Sequence, residues 1–218
     1  DIQQYVQELR ESPEREMRSL LNALNGGFIA PSPGGDAVRN PNTLPTGRNL
    51  FGINAEATPG VRAWDEGKAL AKSTLDRYYR KHGEYPRKVS YTFWAGEFIE
   101  TEGATLAQAL YMLGVAPVRD GMNRVTDLRL IPSAELGRPR IDVVVQTSGQ
   151  LRDVAASRLE LLTKAVKMVA QSENDTCGNY VSEGTVESER ILLEKGFSPK
   201  EAREPVSYTH LRAHETEL

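Results

Sequence analysis

The loop PGGDAVRNPNTLPTGRN, at residues 33–49, carries the polar side chains best suited to hold an anionic ligand. Asp36, Arg39, Arg48 and Asn49 lie in it among several prolines and glycines. Arginine binds a carboxylate through two parallel hydrogen bonds, and proline lowers the entropy cost of holding a loop in one shape. The loop is therefore predicted to be ordered and to contribute to a substrate-binding site. The spacing leaves an equal alternative, a structural loop whose arginines bind backbone carbonyls.

A second group of arginines stands at the start of an apolar run. In ELGRPRIDVVVQT, Arg138 and Arg140 flank Pro139, and Asp142 lies just inside the run. A carboxylate buried without a partner is costly, so Asp142 is expected to pair with an arginine. Both arginines are candidates for substrate binding, although a buried structural ion pair is the favoured interpretation.

Two further groups follow predicted strands. SGQLRD places Ser148 and Arg152 after one strand as candidates for ligand contact, and Asp153 is expected to cap the next helix. In AGEFIETEG, Glu97, Glu100 and Glu102 follow another strand, where carboxylates could bind a hard cation or accept a proton. A solvated acidic loop is the simpler interpretation of that segment, and Glu97 remains the candidate metal ligand.

The hydrophobic pattern indicates which elements position these groups. In residues 88–94, KVSYTFW, polar and apolar side chains alternate, which is typical of a strand. Residues 140–147, RIDVVVQT, contain three consecutive valines, which are typical of a buried strand. VAPVRD and RVTDLRLIP are predicted as further strands, and helices are predicted over residues 105–114 and 154–170. Strands alternating with helices indicate an α/β fold with a mainly parallel sheet flanked by helices. Ligands bind beyond the carboxyl ends of strands in such sheets.

Four segments are predicted along the chain. Residues 1–27 form an N-terminal helix, and residues 28–170 form the α/β core with its long ordered loop. Residues 171–205 form a small helical segment, and residues 206–218 are set apart as a tail.

The sequence also predicts the ends of the second helix and the location of the two tryptophans. Thr58 is predicted as the N-cap of the second helix, and Gly83 as its end. Both tryptophans, Trp64 and Trp94, are predicted as core aromatics, with an alternative role in stacking.

Composition excludes several classes of function. The chain has 218 residues, 39% of them hydrophobic, and a net charge of -3, which gives no electrostatic case for binding nucleic acid or an anionic membrane. No apolar run reaches the roughly 18 residues of a membrane span. Cys177 is the single cysteine, which excludes a disulfide framework and indicates a cytoplasmic location. Because the sequence starts at Asp1 without methionine, we expect a fragment.

The tail contains His210 and His214, four residues apart and followed by Glu215. Their order differs from the HExxH motif of zinc proteases, and no third ligand is evident. SYTHLRAHET resembles a peptide translated from adapter DNA at the ends of unrelated sequences. Residues 206–218 are therefore predicted to be non-native.

Three stretches taken together resemble the large subunits of metal chelatases. They are GGDAVRNPNTLPTGRNLFGIN, HGEYPRKVSYTFW and GVAPVRDGMNRVTDLRLIPSAELGRPRIDVVVQTSGQLRD, and the resemblance covers residues 20–204. The family comprises the large subunit of aerobic cobaltochelatase and the porphyrin-binding H subunit of magnesium chelatase. Its loop and strand motifs, found together, are highly specific.

The resemblance implies a subunit that binds a tetrapyrrole and the metal ion to be inserted. Cobalt(II) insertion into hydrogenobyrinic acid a,c-diamide is the leading expectation, and magnesium insertion into protoporphyrin is the alternative. Two smaller partner subunits of the family hydrolyse ATP, which fits the lack of a Walker motif in this sequence. A non-catalytic tetrapyrrole-binding module remains a third interpretation.

Two departures limit what the resemblance implies. Family members exceed this chain several-fold in length, and their histidine- and glutamate-bearing segment is expected upstream of Asp1, so the chain is expected to be inactive alone. Many members have a WGT-like turn where this chain has WAGEFIE, so the resemblance assigns no role to Glu97.

Overall fold

The computed structural model shows an α/β fold, as predicted. It describes residues 2–35, 37–38, 41–173, 175–206 and 211–213, and for residues 51, 203–206 and 211–213 it describes the backbone alone.

The main sheet is parallel and contains the two strands that the sequence indicated most clearly. Strand β3 (Lys88–Phe93) pairs with β6 (Asp142–Thr147), and β7 (Leu211–Ala213) pairs with the other edge of β6. The register joins Lys88 to Asp142 and Phe93 to Thr147. Strand β7 lies within residues 206–218, and their assignment as a non-native tail stays a prediction, because the open edge of β6 offers backbone groups to any extended segment.

Three long helices pack around this sheet and form the core with it. They are α2 (Val61–His82), α4 (Ala104–Leu113) and α6 (Gly149–Ala170), and the short helix α3 (Ala95–Glu100) follows β3 directly. Fully buried side chains from these elements include Leu75, Phe93, Phe98, Leu106, Leu110, Met112, Leu113, Val143, Leu151 and Leu162. The helix predicted over residues 154–170 is confirmed as part of α6, which kinks at Ala155.

A separate hairpin lies beside the main sheet. Strands β4 (Val115–Arg119) and β5 (Val125–Leu130) pair antiparallel. Only a tight turn joins them, so they cannot form a parallel pair, which needs a long crossover. The short helix α5 (Ser133–Leu136) follows and leads back to β6.

The N-terminal region is less enclosed. Helix α1 (Ile2–Leu24) precedes two short parallel strands, β1 (Pro31–Pro33) and β2 (Asn49–Phe51), which the sequence did not indicate. A single turn of 3-10 helix, Pro41–Thr43, lies in the loop between them. The apolar residues of α1 are exposed, namely Leu9, Met17, Leu20, Leu21 and Leu24.

The remaining helix boundaries confirm some predictions and correct others. Helix α2 begins at Val61 with Gly60 as its N-cap, whereas Thr58 ends a preceding 3-10 turn (Ala55–Ala57). Gly83 ends α2 in the left-handed conformation, as predicted. Helices α7 (Tyr180–Glu194) and α8 (Pro199–Val206) form the predicted helical segment.

Candidate functional site

The long loop is held in shape by one of its own arginines. The guanidinium group of Arg48 donates hydrogen bonds to the carbonyls of Asn42 (2.8 Å), Leu44 (2.9 Å) and Pro45 (3.2 Å). A guanidinium has five N–H donors, and these contacts use both Nη2 and Nε. These contacts favour the structural alternative for Arg48, and its role in substrate binding stays a prediction.

Of the other predicted loop residues, only Asn49 lies within the described part of the chain. Asp36 and Arg39 lie outside the described residues, so their assignment to substrate binding stays a prediction. Asn49 begins β2, its backbone N–H donates to the Ala30 carbonyl (3.0 Å), and its side chain is exposed.

Arg138 and Arg140 are enclosed at the amino end of β6. The Arg138 guanidinium donates to the carbonyls of Tyr111 and Met112, at the end of α4. Arg140 donates to the carbonyls of Gly114 (2.7 Å) and Ile131 (2.9 Å).

Arg140 also forms a buried ion pair, in which its Nε lies 2.6 Å from Oδ1 of Asp175. Burial lowers the pKa of Arg138, and the exposed fractions of Arg138 and Arg140 are only 6% and 2%. These contacts tie α4, β5 and β6 together, and they leave neither guanidinium group open to a ligand.

Asp142 is buried, but its partner is a lysine and not the expected arginine. Lys88 Nζ lies 2.8 Å from Asp142 Oδ2. The reason is the parallel register, which puts Lys88 of β3 directly beside Asp142 of β6.

The carboxyl ends of β3 and β6 form an open polar edge, which we call the carboxyl edge (Trp94, Ser148, Gly149 and Arg152). The Ser148 N–H donates to the Phe93 carbonyl (3.2 Å), so the two strands end side by side. The prediction of Trp94 as a core residue is wrong, because 63% of its surface is exposed. Trp64, by contrast, is partly buried and packs edge-on against Tyr111, with ring centroids 6.4 Å apart.

Helix α6 starts at this edge. Ser148 is its N-cap, with Oγ accepting a hydrogen bond from the Leu151 N–H (3.2 Å). Asp153, predicted as the cap, lies inside the helix and is exposed, because α6 starts at Gly149, earlier than predicted. Arg152 is exposed in the first turn, and its guanidinium has no partner among the described residues.

Glu97 lies in the first turn of α3. Its Oε1 accepts hydrogen bonds from the hydroxyls of Thr105 (2.6 Å) and Thr101 (3.1 Å), while Oε2 is buried without a partner in the described part of the chain. Glu97 is therefore not a residue of a solvated loop. Across the described residues, no three histidine, cysteine, aspartate or glutamate side chains converge to hold a metal ion.

Two arginines that the sequence analysis passed over fix the segment before α2. Arg158 is buried in α6, and its Nη1 donates to the Thr58 carbonyl (3.1 Å). Arg119, at the end of β4, donates to the Pro59 carbonyl from the other side. Burial lowers the pKa of both. Arg158 had a detectable signal, since it falls at the spacing of the core-facing residues of α6, where a charge is unusual.

Comparisons with known proteins agree with this architecture. The aerobic cobaltochelatase subunit CobN of Sinorhizobium sp is 36% identical over 202 residues, which are 92% of this chain and 16% of the relative. The magnesium-chelatase subunit ChlH of Oryza sativa subsp. indica is 40% identical over 190 residues, 87% of this chain and 14% of that protein. The chain thus spans about one-sixth of the length of these curated relatives.

A solved structure gives the same result. The catalytic subunit of cobaltochelatase from Mycobacterium tuberculosis superposes with a TM-score of 0.77 at 36% identity, covering 94% of this chain and 17% of that one. Among the described residues, no helix is long and apolar enough to cross a membrane. The CobN/Magnesium Chelatase family model matches residues 1–209, and the chain therefore belongs to the CobN/magnesium chelatase family of metal chelatase subunits.

Proposed function

We propose that this chain is part of the tetrapyrrole- and metal-binding subunit of an ATP-dependent metal chelatase, and that the carboxyl edge contacts the macrocycle. The observation that carries this proposal is the exposure of Trp94 and Arg152 beyond neighbouring parallel strands. Ligands of α/β sheets occupy this position. Family membership supplies the type of reaction.

The chemistry of the edge suits a flat, acidic ring. An indole face stacks on an extended π system, and an exposed arginine binds a carboxylate bidentately. The first backbone N–H groups of α6 add partial positive charge at the same edge. Together, Trp94 and Arg152 recognise the two features that tetrapyrroles with acidic side chains share.

Within this proposal, some of the predicted site residues are favoured as ligand contacts and others as structural residues. Arg152 and Asn49 keep exposed polar groups, and Ser148 acts as a cap that positions the start of α6. Arg48, Arg138 and Arg140 act by holding the loop and the core in place.

The proposed metal is cobalt(II), inserted as a substrate into hydrogenobyrinic acid a,c-diamide for cobalamin synthesis. The cobaltochelatase relatives support this assignment. Magnesium insertion into protoporphyrin IX is the second candidate, supported by the 40% identity to a magnesium-chelatase subunit. In either case, two smaller partner subunits hydrolyse ATP, the complex is cytoplasmic, and this chain alone does not insert metal. A non-catalytic binding module would bind the ring without supporting insertion in any complex.

Titration with each macrocycle tests the proposal. Hydrogenobyrinic acid a,c-diamide and protoporphyrin IX are added to the chain and to its Trp94→Ala and Arg152→Ala variants, and the Kd is measured by absorbance. We expect each substitution to weaken binding about tenfold, the loss of one stacking contact or one charge-assisted hydrogen bond. Arg77→Ala removes another exposed arginine, from α2, and is the control.

Unchanged affinity in folded Trp94→Ala and Arg152→Ala variants would contradict the assignment of the edge. Metal insertion by the longer parent protein with its ATPase partners then identifies the metal, by the rate with cobalt(II) against the rate with magnesium. Ring binding with no insertion of either metal would support the non-catalytic module.

A further inference from the structure

Helix α1 carries an apolar stripe along its whole length, which we call the α1 stripe. Its members recur at intervals of three or four residues, namely Ile2, Val6, Leu9, Pro13, Met17, Leu20 and Leu24. This spacing places them on one face of the helix. At 1.5 Å per residue, the stripe is about 33 Å long.

The α1 stripe is open to solvent in this chain. Apart from Pro13, the exposed fractions of its residues run from 40% at Val6 to 86% at Ile2. Phe28, just beyond the end of α1, is 84% exposed. Soluble monomers rarely expose a contiguous apolar patch larger than a few hundred Å², and such patches mark interaction sites. We therefore expect another protein surface to cover the stripe.

A second face of α1 packs against the long loop. The Thr46 N–H donates to Ser12 Oγ (3.0 Å), and Ser12 is buried. Gly47 lies so close to the helix that an added Cβ would be 2.7 Å from the Glu16 backbone nitrogen. This face therefore fixes the loop to α1 and leaves the stripe uncovered.

The third face of α1 suits water. It carries ion pairs one helical turn apart, Arg18 with Glu14 (2.7 Å) and Arg15 with Glu11 (3.6 Å). Pairs at this spacing are typical of a solvated helix surface. Helix α1 thus has one face for the loop, one for solvent, and one apolar face that neither of them covers.

The period of the α1 stripe indicates what kind of surface covers it. Two successive intervals of four residues, Leu9 to Pro13 and Pro13 to Met17, interrupt the alternation of three and four that a coiled coil requires. The average interval is about 3.7 residues, close to the 3.6 per turn of a straight helix and longer than the 3.5 of a coiled coil. This argues against a coiled coil between two copies of the chain and favours packing on a globular body.

The relatives are long enough to supply such a body, because this chain spans about one-sixth of their length. We propose that the α1 stripe packs against a part of the same subunit that lies outside residues 1–218. Packing of α1 there fixes the position of the long loop relative to the rest of the subunit. The inference rests on the proposed function only in treating the chain as a segment of a longer subunit.

Cysteine labelling of the longer parent protein tests this packing. Leu20→Cys places a thiol on the α1 stripe, and Arg18→Cys places one on the ion-paired face as the matched control. Each variant is made in this chain and in the parent, and the rate of N-ethylmaleimide addition is followed by mass spectrometry of the peptide concerned. We expect Leu20→Cys to react at least about a hundredfold more slowly in the parent than in this chain, because a buried site reacts only on local opening. Arg18→Cys should differ by less than about threefold.

Photo-crosslinking identifies what covers the stripe. With p-benzoylphenylalanine in place of Leu20, the monomeric parent should form a cross-link to a peptide of the same polypeptide outside residues 1–218. Equal labelling of Leu20→Cys in this chain and in the parent would overturn the proposal. So would protection that appears only when the parent dimerises, or only when the two smaller subunits are added.

Titration of the same parent with each tetrapyrrole keeps this inference apart from the proposed function. Protection of Leu20→Cys in a parent that binds neither macrocycle would support the packing and contradict the function. Binding of a macrocycle at the carboxyl edge of a parent in which Leu20→Cys stays reactive would do the reverse.

Discussion

The two ends of strand β6 use the same residue type for different purposes. At the amino end, Arg138 and Arg140 are buried, and their donors are taken by carbonyls of α4 and β5 and by Asp175. At the carboxyl end, Arg152 is exposed in the first turn of α6, and Trp94 is exposed beyond the end of β3. Arginine side chains thus join elements of the core at the amino end of β6, whereas at the carboxyl end an arginine is exposed to solvent.

The difference shows that the number of arginines in a motif says little about binding. A guanidinium already engaged by three carbonyls must lose those bonds before it can bind a carboxylate, and an unpaired buried group costs about 1–3 kcal/mol. An exposed guanidinium has only water to displace. We therefore expect residues 138–140 to stabilise the domain and the residues that follow β6 to be the ones available to a ligand.

The largest effect should come from the amino end. Arg140→Met leaves Asp175 buried without its cation, and breaking a buried pair in this way costs about 3–5 kcal/mol. We expect a loss of unfolding free energy of that order in urea denaturation. Asp175→Asn in the same chain should restore part of it.

Arg129→Met is the control for this substitution, because Arg129 is exposed on β5 and should change stability by less than about 0.5 kcal/mol. A stability loss for Arg140→Met no larger than that of the control would show that the enclosed arginines are not structural.

A smaller effect is expected in the loop. Arg48→Met removes three hydrogen bonds to loop carbonyls, and because these carbonyls can regain water the cost should be about 1–2 kcal/mol. Tetrapyrrole affinity, measured by absorbance on the folded variant, should not change. If Arg48→Met lowered the tetrapyrrole affinity tenfold and left the free energy of unfolding unchanged, Arg48 would be a substrate-binding residue.

The smallest effect concerns Ser148, which is both an N-cap and a residue of the carboxyl edge. Ser148→Ala should lower the unfolding free energy by about 1 kcal/mol through loss of the cap. Ser148→Asp keeps a capping oxygen and adds a negative charge at the edge, so stability should be retained while binding of an acidic ring weakens. Unchanged ring affinity in Ser148→Asp would place the ligand elsewhere.

Much of the fold could be predicted from the sequence, because the elements concerned have strong local signals. The alternation in β3, the valines of β6 and the glycine that ends α2 each specify an element without reference to the rest of the chain. Strands β1 and β2 were missed because three residues, two of them prolines in β1, carry no detectable period. The position of each element in the fold and the burial of its side chains could not be predicted from such local signals.

The site was less predictable for a related physical reason. The role of a side chain depends on its surroundings. The sequence does not distinguish an arginine that is bound to buried carbonyls from one that is exposed to water. The exposure of Trp94 followed from its place one residue beyond β3, where the chain turns into α3. The partner of Asp142 followed from strand register, which no local pattern encodes.

Whether the carboxyl edge contacts the tetrapyrrole is tested most directly by mapping where the macrocycle binds. Amide signals of the 15N-labelled chain are recorded with and without hydrogenobyrinic acid a,c-diamide, and again with protoporphyrin IX. We expect the largest shifts at Trp94, Gly149 and Arg152, with residues 138–141 unaffected. Shifts concentrated at residues 138–141 and absent from the carboxyl edge would contradict it.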